Sequence, residues 1–336
     1  MEKVRDLQRV MAQALGKTYR SRKTGIGAPL IRIGHYSGMI DLGGDLALTL
    51  HTDGVGTKIL VAQEMGKYDT VGIDCVAMTV NDLICLGSEP VALLDYLALQ
   101  RQDDRLVMEV MKGLVAGAEE ATAPIVGGET AILGEMISGI GGHGFDLAAM
   151  GVGIVSKRRL IDGSAIKAGD AVVGLRSSGL HSNGYTLARR VLRRKHSLDE
   201  FVPSLGRTLG AELMIPTKIY VRPALQLLNR LEVHGIAHIT GGAFTKLARL
   251  TGAKNLSFRL NEAESNRIFE MISEEGGLSL KEMYSTFNMG IGLCIVLPAP
   301  QAEEAIRVCR KEGVETTVFG KIVRGKGVYI GEERLT

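Results

Sequence analysis

The sequence predicts an α/β protein of two domains, and three observations carry the prediction. Short apolar runs of strand type alternate with amphipathic stretches of helical period along the chain. With 336 residues, the chain is long enough for two domains of ordinary size, each burying its own core. A polar segment without a long apolar run, Arg158 to Asp170, falls near the middle and separates a domain over residues 1–160 from one over residues 171–336. Glycine is frequent at 43 residues and tryptophan is absent, so many tight turns and close backbone approaches are expected.

Composition narrows the class of partner. At 45% apolar and 23% charged residues, this is the make-up of an ordinary globular protein. Lys plus Arg exceeds Asp plus Glu by 40 − 37 = 3, too little to demand a nucleic acid, though it suits small anions. No apolar run is long enough to span a bilayer and no cleavable signal with a charged head and apolar centre is found, so neither export nor a membrane partner is expected. Cys75, Cys85, Cys294 and Cys309 form no CxxC pair, which predicts reduced cysteines packed as small apolar residues in a cytoplasmic protein.

Along the first half, residues 2–16 have helical spacing that stops at Gly16. A basic segment follows with Lys17, Arg20, Arg22 and Lys23, read equally as a solvated linker or as an arm that touches phosphate. Gly34-His35-Tyr36-Ser37-Gly38 is a polar turn. The alternating run Asp45 to Leu50 predicts a strand leading into His51-Thr52-Asp53-Gly54-Val55-Gly56-Thr57-Lys58 and a helix from Ile59. Asp53 suits a hard cation, Gly54 and Gly56 let the backbone approach, helix N–H groups and Thr57 face an anion, and Lys58 supplies charge. A simple capped turn would read the same way.

Asp69 to Leu86 predicts one helix closed by Gly87. Inside its apolar sequence stand Asn81 and Asp82. A buried carboxylate needs a cation, hydrogen bonds or water, because unpaired burial costs several kcal/mol at least. Pro90 to Leu99 predicts a strand, Asp103 to Ala121 a helix, and Pro124 to Val126 a strand ending in Gly127-Gly128-Glu129-Thr130. Strand ends are where open α/β sheets bind ligands, so Asp53, Asp82 and Glu129 form a candidate carboxylate set for Mg2+. Gly139 to Gly144 matches GxGxxG but precedes a strand rather than a helix, and no GxxxxGK[ST] occurs.

In the second half, Ala171 to Leu175 predicts a strand that turns through Arg176 to Gly184 into a helix ending near Leu192. His181, Ser182 and Asn183 lie at that helix start; they fit an anion site with His181 as proton carrier, or equally caps and a structural histidine. Arg189, Arg190, Arg193, Arg194 and Lys195 read as a solvated basic face. Thr217 to Leu231 predicts a helix, Ile236 to Thr240 a strand entering the Gly241-Gly242 turn, Ile291 to Leu297 a strand, Gln301 to Glu312 a helix and Val314 to Phe319 a last strand.

Six motifs in order, Thr52 to Lys58, Gly72 to Leu83, Gly127 to Ala131, Ser177 to Tyr185, Ala237 to Gly242 and Thr286 to Gly290, resemble the phosphoribosylformylglycinamidine cyclo-ligase (aminoimidazole ribonucleotide synthetase) family. The resemblance implies an aminoimidazole ribonucleotide synthetase-like fold of α+β type, a homodimer whose N-terminal domains form a β-barrel-like core. It implies ATP-dependent cyclisation of formylglycinamidine ribonucleotide to aminoimidazole ribonucleotide with release of ADP and phosphate. It assigns Asp53, Asp82 and Glu129 to Mg2+ and ATP, Lys58 to phosphate charge and Asn81 to support. Gly54, Gly56, Thr57, Gly127 and Gly128 would approach ATP or substrate. Asp53, Lys58 and His181 would be catalytic, with Ser182 and Asn183 on the substrate and Gly241 and Gly242 admitting a phosphate. Two departures stand out. The N-terminal Gly-Gly-Phe-Gly loop of bacterial members is replaced around Gly25 to Pro29, and Ala243 stands where a third glycine is common. A selenide-using relative would need a reactive cysteine near the N-terminus, and none precedes Cys75.

Overall fold

The computed structural model describes residues 2–336, so Met1, where the expected first domain begins, lies outside the described residues. Two sheets organise the chain. Strands β1 (Gly38–Asp41), β2 (Leu46–Gly54), β3 (Glu89–Leu99), β4 (Ile125–Ile132) and β5 (Phe145–Ser156) form a half-barrel-like sheet in the order β1-β2-β5-β3-β4. Its pairs are antiparallel except for the parallel β3–β4 pair, for which the helix Asp104–Ala121 is the crossover. Asp103 caps that helix, its side chain accepting the Leu106 N–H at 3.1 Å.

The second sheet contains β6 (Asp170–Arg176), β9 (Gly235–His238), β10 (Leu256–Leu260), β11 (Ile291–Pro298), β12 (Thr316–Arg324), β13 (Gly327–Ile330) and β14 (Glu333–Arg334), ordered β14-β13-β10-β12-β6-β11-β9; β7 (Phe201–Val202) and β8 (Arg207–Thr208) form a separate ribbon. Both β6 and β11 are buried along nearly their whole length, which is why they read as continuous apolar runs.

Between the sheets runs the helix Val71–Ile84, on which only Ile73 escapes burial. It packs on β2 and β5 on one side and against β9 and the helix Val221–Arg230 on the other. A Cβ on Gly151 of β5 would stand 2.7 Å from Thr79 Cγ2, and one on Gly72 would meet the Leu114 backbone nitrogen at 2.2 Å, so glycine at each position permits the close approach. Asp74, Asn81 and Asp82 are seven and eight residues apart, two helical turns, and therefore share one face. All three are buried and all reach residues of the second domain. The helix is thus a polar-striped seam within one continuous apolar core that runs through both domains.

Three features differ from expectation. The strand β2 continues through Gly54, so Asp53 lies on a strand rather than in a turn. The Gly127-Gly128-Glu129-Thr130 segment lies inside β4 rather than at its end. The last expected strand, Val314 to Phe319, runs as β12 from Thr316 to Arg324, and β13 and β14 follow it.

Candidate functional site

Where the seam meets the ends of β2 and β9, a cavity of about 850 Å3 opens between the domains. Asp82 sits at its floor. Its Oδ1 accepts a 2.7 Å hydrogen bond from His238 Nδ1, and its Oδ2 stands 3.4 Å from His51 Nε2. The same His51 nitrogen is 3.9 Å from Asp53 Oδ2, so one imidazole lies between two carboxylates. Side chains two apart on a strand share a face, which is why His51 and Asp53 of β2 look into the same space. The carbonyl of Asp82 accepts the Ser37 hydroxyl at 2.9 Å, fixing the turn that carries His35 and Tyr36 into the wall.

Electrostatics here favour charge separation. Burial alone would raise the Asp82 carboxyl, but the hydrogen bond from His238 and the charges of His238, His51 and Lys246 hold it below the usual carboxylate range. Burial opposes protonation of His51, yet the Asp53 and Asp82 carboxylates outweigh it and raise the imidazole. Asn81 fixes the floor: its Oδ1 accepts the Tyr220 N–H at 2.9 Å and its Nδ2 donates to the Lys218 carbonyl at 2.9 Å.

The opposite wall belongs to the second domain. Gly241 and Gly242 line it with Thr240, Lys246 and Arg249. Lys246 Nζ donates to Thr240 Oγ1 at 2.5 Å. Gly242 and Ala243 have φ of +84° and +43°, so the missing third glycine is an alanine held in the left-handed region at a cost of about 1 kcal/mol.

Of the residues expected at the site, Asp53, Asp82, Asn183, Gly241 and Gly242 line this cavity, and Asn81 lies beneath it. Others do not. Lys58 is fully buried: the short turn Gly56–Lys58 points it inward, where Nζ meets Asp74 Oδ2 at 2.8 Å and the Ile215 carbonyl at 2.6 Å. It therefore cannot offer charge to a phosphate in the cavity. Ser182 is bound into the same network, 3.1 Å from Asp74 Oδ1, while Thr57 pairs with Thr186 at 3.2 Å and, with Gly54 and Gly56, lies outside the lining.

His181 is 1% exposed and also lies outside the lining. Its Nε2 accepts the Ser178 N–H at 3.2 Å, and burial, with the nearby His238, Lys58 and Lys218 charges, pushes its pKa well below the ordinary value. A neutral, packed imidazole is a poor proton carrier for a ligand it does not reach. Glu129 is exposed on β4, and Gly127 and Gly128 lie on the same strand. Register runs Asp53–Ala149–Asp95–Gly128 across the sheet, so Glu129, one residue off that row, lies three strands from Asp53 and on the opposite face, where it does not join Asp53 at one ion within one chain. Among the described residues no group of three or more His, Cys, Asp or Glu is arranged to hold a metal ion.

The structure adds His51, His238, Lys246, His35 and Tyr36 to the wall or floor of the cavity, none of them a site residue expected from the sequence. His238 lies inside the motif Ala237 to Gly242 and His51 directly before the motif Thr52 to Lys58, a signal available in the sequence. Of the N-terminal cations, Arg22 caps its own loop, donating to the Ile26 carbonyl at 2.6 Å.

Residues 34–155 match the AIR synthase related protein N-terminal domain and residues 167–332 the corresponding C-terminal domain. Fold and cavity thus define an AIR synthase-related protein. The chain is 46% identical over 329 residues to the phosphoribosylformylglycinamidine cyclo-ligase of Pyrococcus furiosus, covering 98% of this chain and 94% of that one. It is 45% identical over 327 residues to that of Thermococcus gammatolerans, covering 97% and 94%. It belongs to the phosphoribosylformylglycinamidine cyclo-ligase family, ligases of purine biosynthesis. Among solved structures, the hydrogenase maturation protein HypE in complex with ATP shares the fold, with a TM-score of 0.63 at 20% identity, covering 89% of this chain and 87% of that one.

Proposed function

We propose that the interdomain cavity binds ATP and formylglycinamidine ribonucleotide and closes the imidazole ring by way of a phosphorylated amide oxygen. One observation carries the reading: two carboxylates, Asp53 and Asp82, converge on His51 while Lys246 stands on the facing wall. An amide oxygen is a poor leaving group. Transfer of the γ-phosphoryl to it makes phosphate the leaving group, and the amidine nitrogen then forms the C–N bond as the C–O bond breaks and the nitrogen loses a proton. The chain's part is to align the two anionic ligands and to stabilise charge as it shifts.

The donor set fits Mg2+. Asp53 and Asp82 are hard oxygen ligands brought to within reach of one imidazole, and phosphate oxygens of the nucleotide would complete their coordination. Bound there, the ion would neutralise phosphate charge. Asp82 keeps its ionised form through His238, and Asn81 keeps His238 in place, its Nδ2 lying 3.5 Å from His238 Nε2. Gly241 and Gly242 admit a phosphate at the facing turn.

ADP release should depend on the ribonucleotide and should match aminoimidazole product one for one. ATP turnover without that product would retain the nucleotide site and discard the substrate. A homodimer is part of the same reading, supported by the edge strand β4, which leaves Val126 and Ile132 exposed at 65% and 59%. Light scattering is expected to give twice the 36.0 kDa chain mass, and a monomer at working concentration would count against it. Four free, buried cysteines suit the reducing cytoplasm, and among the described residues no helix is long and apolar enough to cross a membrane.

A further inference from the structure

Within that reading, which this inference rests on, the cation Lys246 has no carboxylate partner among the described residues. Lys246 is half-buried in the cavity wall, on the short helix Ala243–Leu247 that follows the glycine turn. Among the described residues its ammonium donates to a single neutral partner, Thr240 Oγ1, and no carboxylate lies within ion-pair distance. Asp82 and Asp53 are nevertheless near enough for their charges to reach it. Arg249, one turn further on, lines the same wall. The cavity is therefore polarised, with two carboxylates on the first domain and two cations on the second.

We propose that Lys246 binds a phosphoryl oxygen of the nucleotide, the charge role that Lys58, sealed against Asp74, does not fill. A nucleoside triphosphate drawn to the carboxylate wall through its metal would leave further anionic oxygens for Lys246 on the facing wall. An ammonium kept partly out of water without a carboxylate partner is held at a cost that an anionic ligand offsets. Burial lowers the Lys246 ammonium despite the pull of Asp82. Thr240 aims it: the 2.5 Å bond fixes the long side chain across the turn, so less freedom is lost on binding.

A phosphate of the same chemistry is carried by the ribonucleotide, and binding measurements separate the two. Calorimetry on the full chain would give the affinity for Mg2+-ATP and, separately, for formylglycinamidine ribonucleotide. Lys246→Met is expected to weaken ATP by about tenfold or more while the ribonucleotide changes by less than about twofold, with Lys246→Arg recovering most of the ATP affinity. Because Lys246 is not in a packed core, the melting temperature of both variants should stay near that of the parent. Loss confined to the ribonucleotide would overturn the nucleotide assignment, and loss for neither ligand would overturn the inference while leaving the proposed reaction standing. A parent protein that bound neither ligand would overturn both.

Discussion

Asp82→Asn should leave the protein folded and lower turnover by about a hundredfold or more, equivalent to about 2.7 kcal/mol of transition-state stabilisation. The substitution is nearly isosteric, and the amide oxygen can still accept from His238 Nδ1, whose bond to Asp82 is 2.7 Å long, so the seam keeps its geometry. What disappears is the negative charge. Asp82 faces His51 at 3.4 Å and is held ionised by three cationic or polar neighbours, so its charge is the fixed element around which the cavity is poised. Removing it leaves Asp53 as the one carboxylate beside His51 and should weaken Mg2+ retention together with the rate. Steady-state kinetics at saturating magnesium, beside a thermal melt, checks this. Undiminished turnover with an unchanged melt would remove Asp82 from the reaction.

That role for Asp82 was half legible in the sequence. A carboxylate in the run Val76 to Ile84 had to find a partner, but the partner, His238, lies 156 residues away, and one sequence carries no signal for that pairing. Glu129 shows how residue type misleads without topology. Gly127-Gly128 resembles a turn, yet a Cβ on Gly128 would meet Asp95 Oδ1 at 2.3 Å, so this glycine serves a close approach between β3 and β4. Lys58 shows the same limit over a shorter range. It shares a motif with Asp53, but Asp53 ends up on a strand and Lys58 on a turn that rotates it into the core. The helix Leu280–Thr286 has its own signature in the capping box of Ser279 and Glu282 at three-residue spacing, which apolar periodicity alone passes over. Core strands β6 and β11 were read within a residue or two because continuous apolar runs leave little alternative.

The buried pair that removes Lys58 from the cavity carries the largest expected effect on stability. Asp74 accepts from Lys58 Nζ at 3.0 Å, Ser182 Oγ at 3.1 Å, the Thr217 N–H at 2.7 Å and Thr217 Oγ1 at 2.6 Å, and neither charged side chain is exposed. Asp74→Ala leaves an unpaired ammonium and three polar donors in the seam, and should cost about 3–5 kcal/mol in denaturant unfolding. Burial already lowers the Lys58 ammonium against the pull of Asp74, so the variant protein should relieve part of the loss by releasing that proton. A second change, Lys58→Met, removes the stranded charge, and the double variant should recover a substantial part of the stability lost by Asp74→Ala alone. Since Thr217 and Ser182 belong to the second domain and Asp74 to the central helix, the network also sets how Asp82 meets His238 two turns away. The folded double variant should therefore bind Mg2+-ATP nearly as the parent does but turn over more slowly, through slackened alignment rather than lost phosphate charge. ATP affinity falling by about a hundredfold in that folded variant would return Lys58 to the ligand and refute the structural role argued for it.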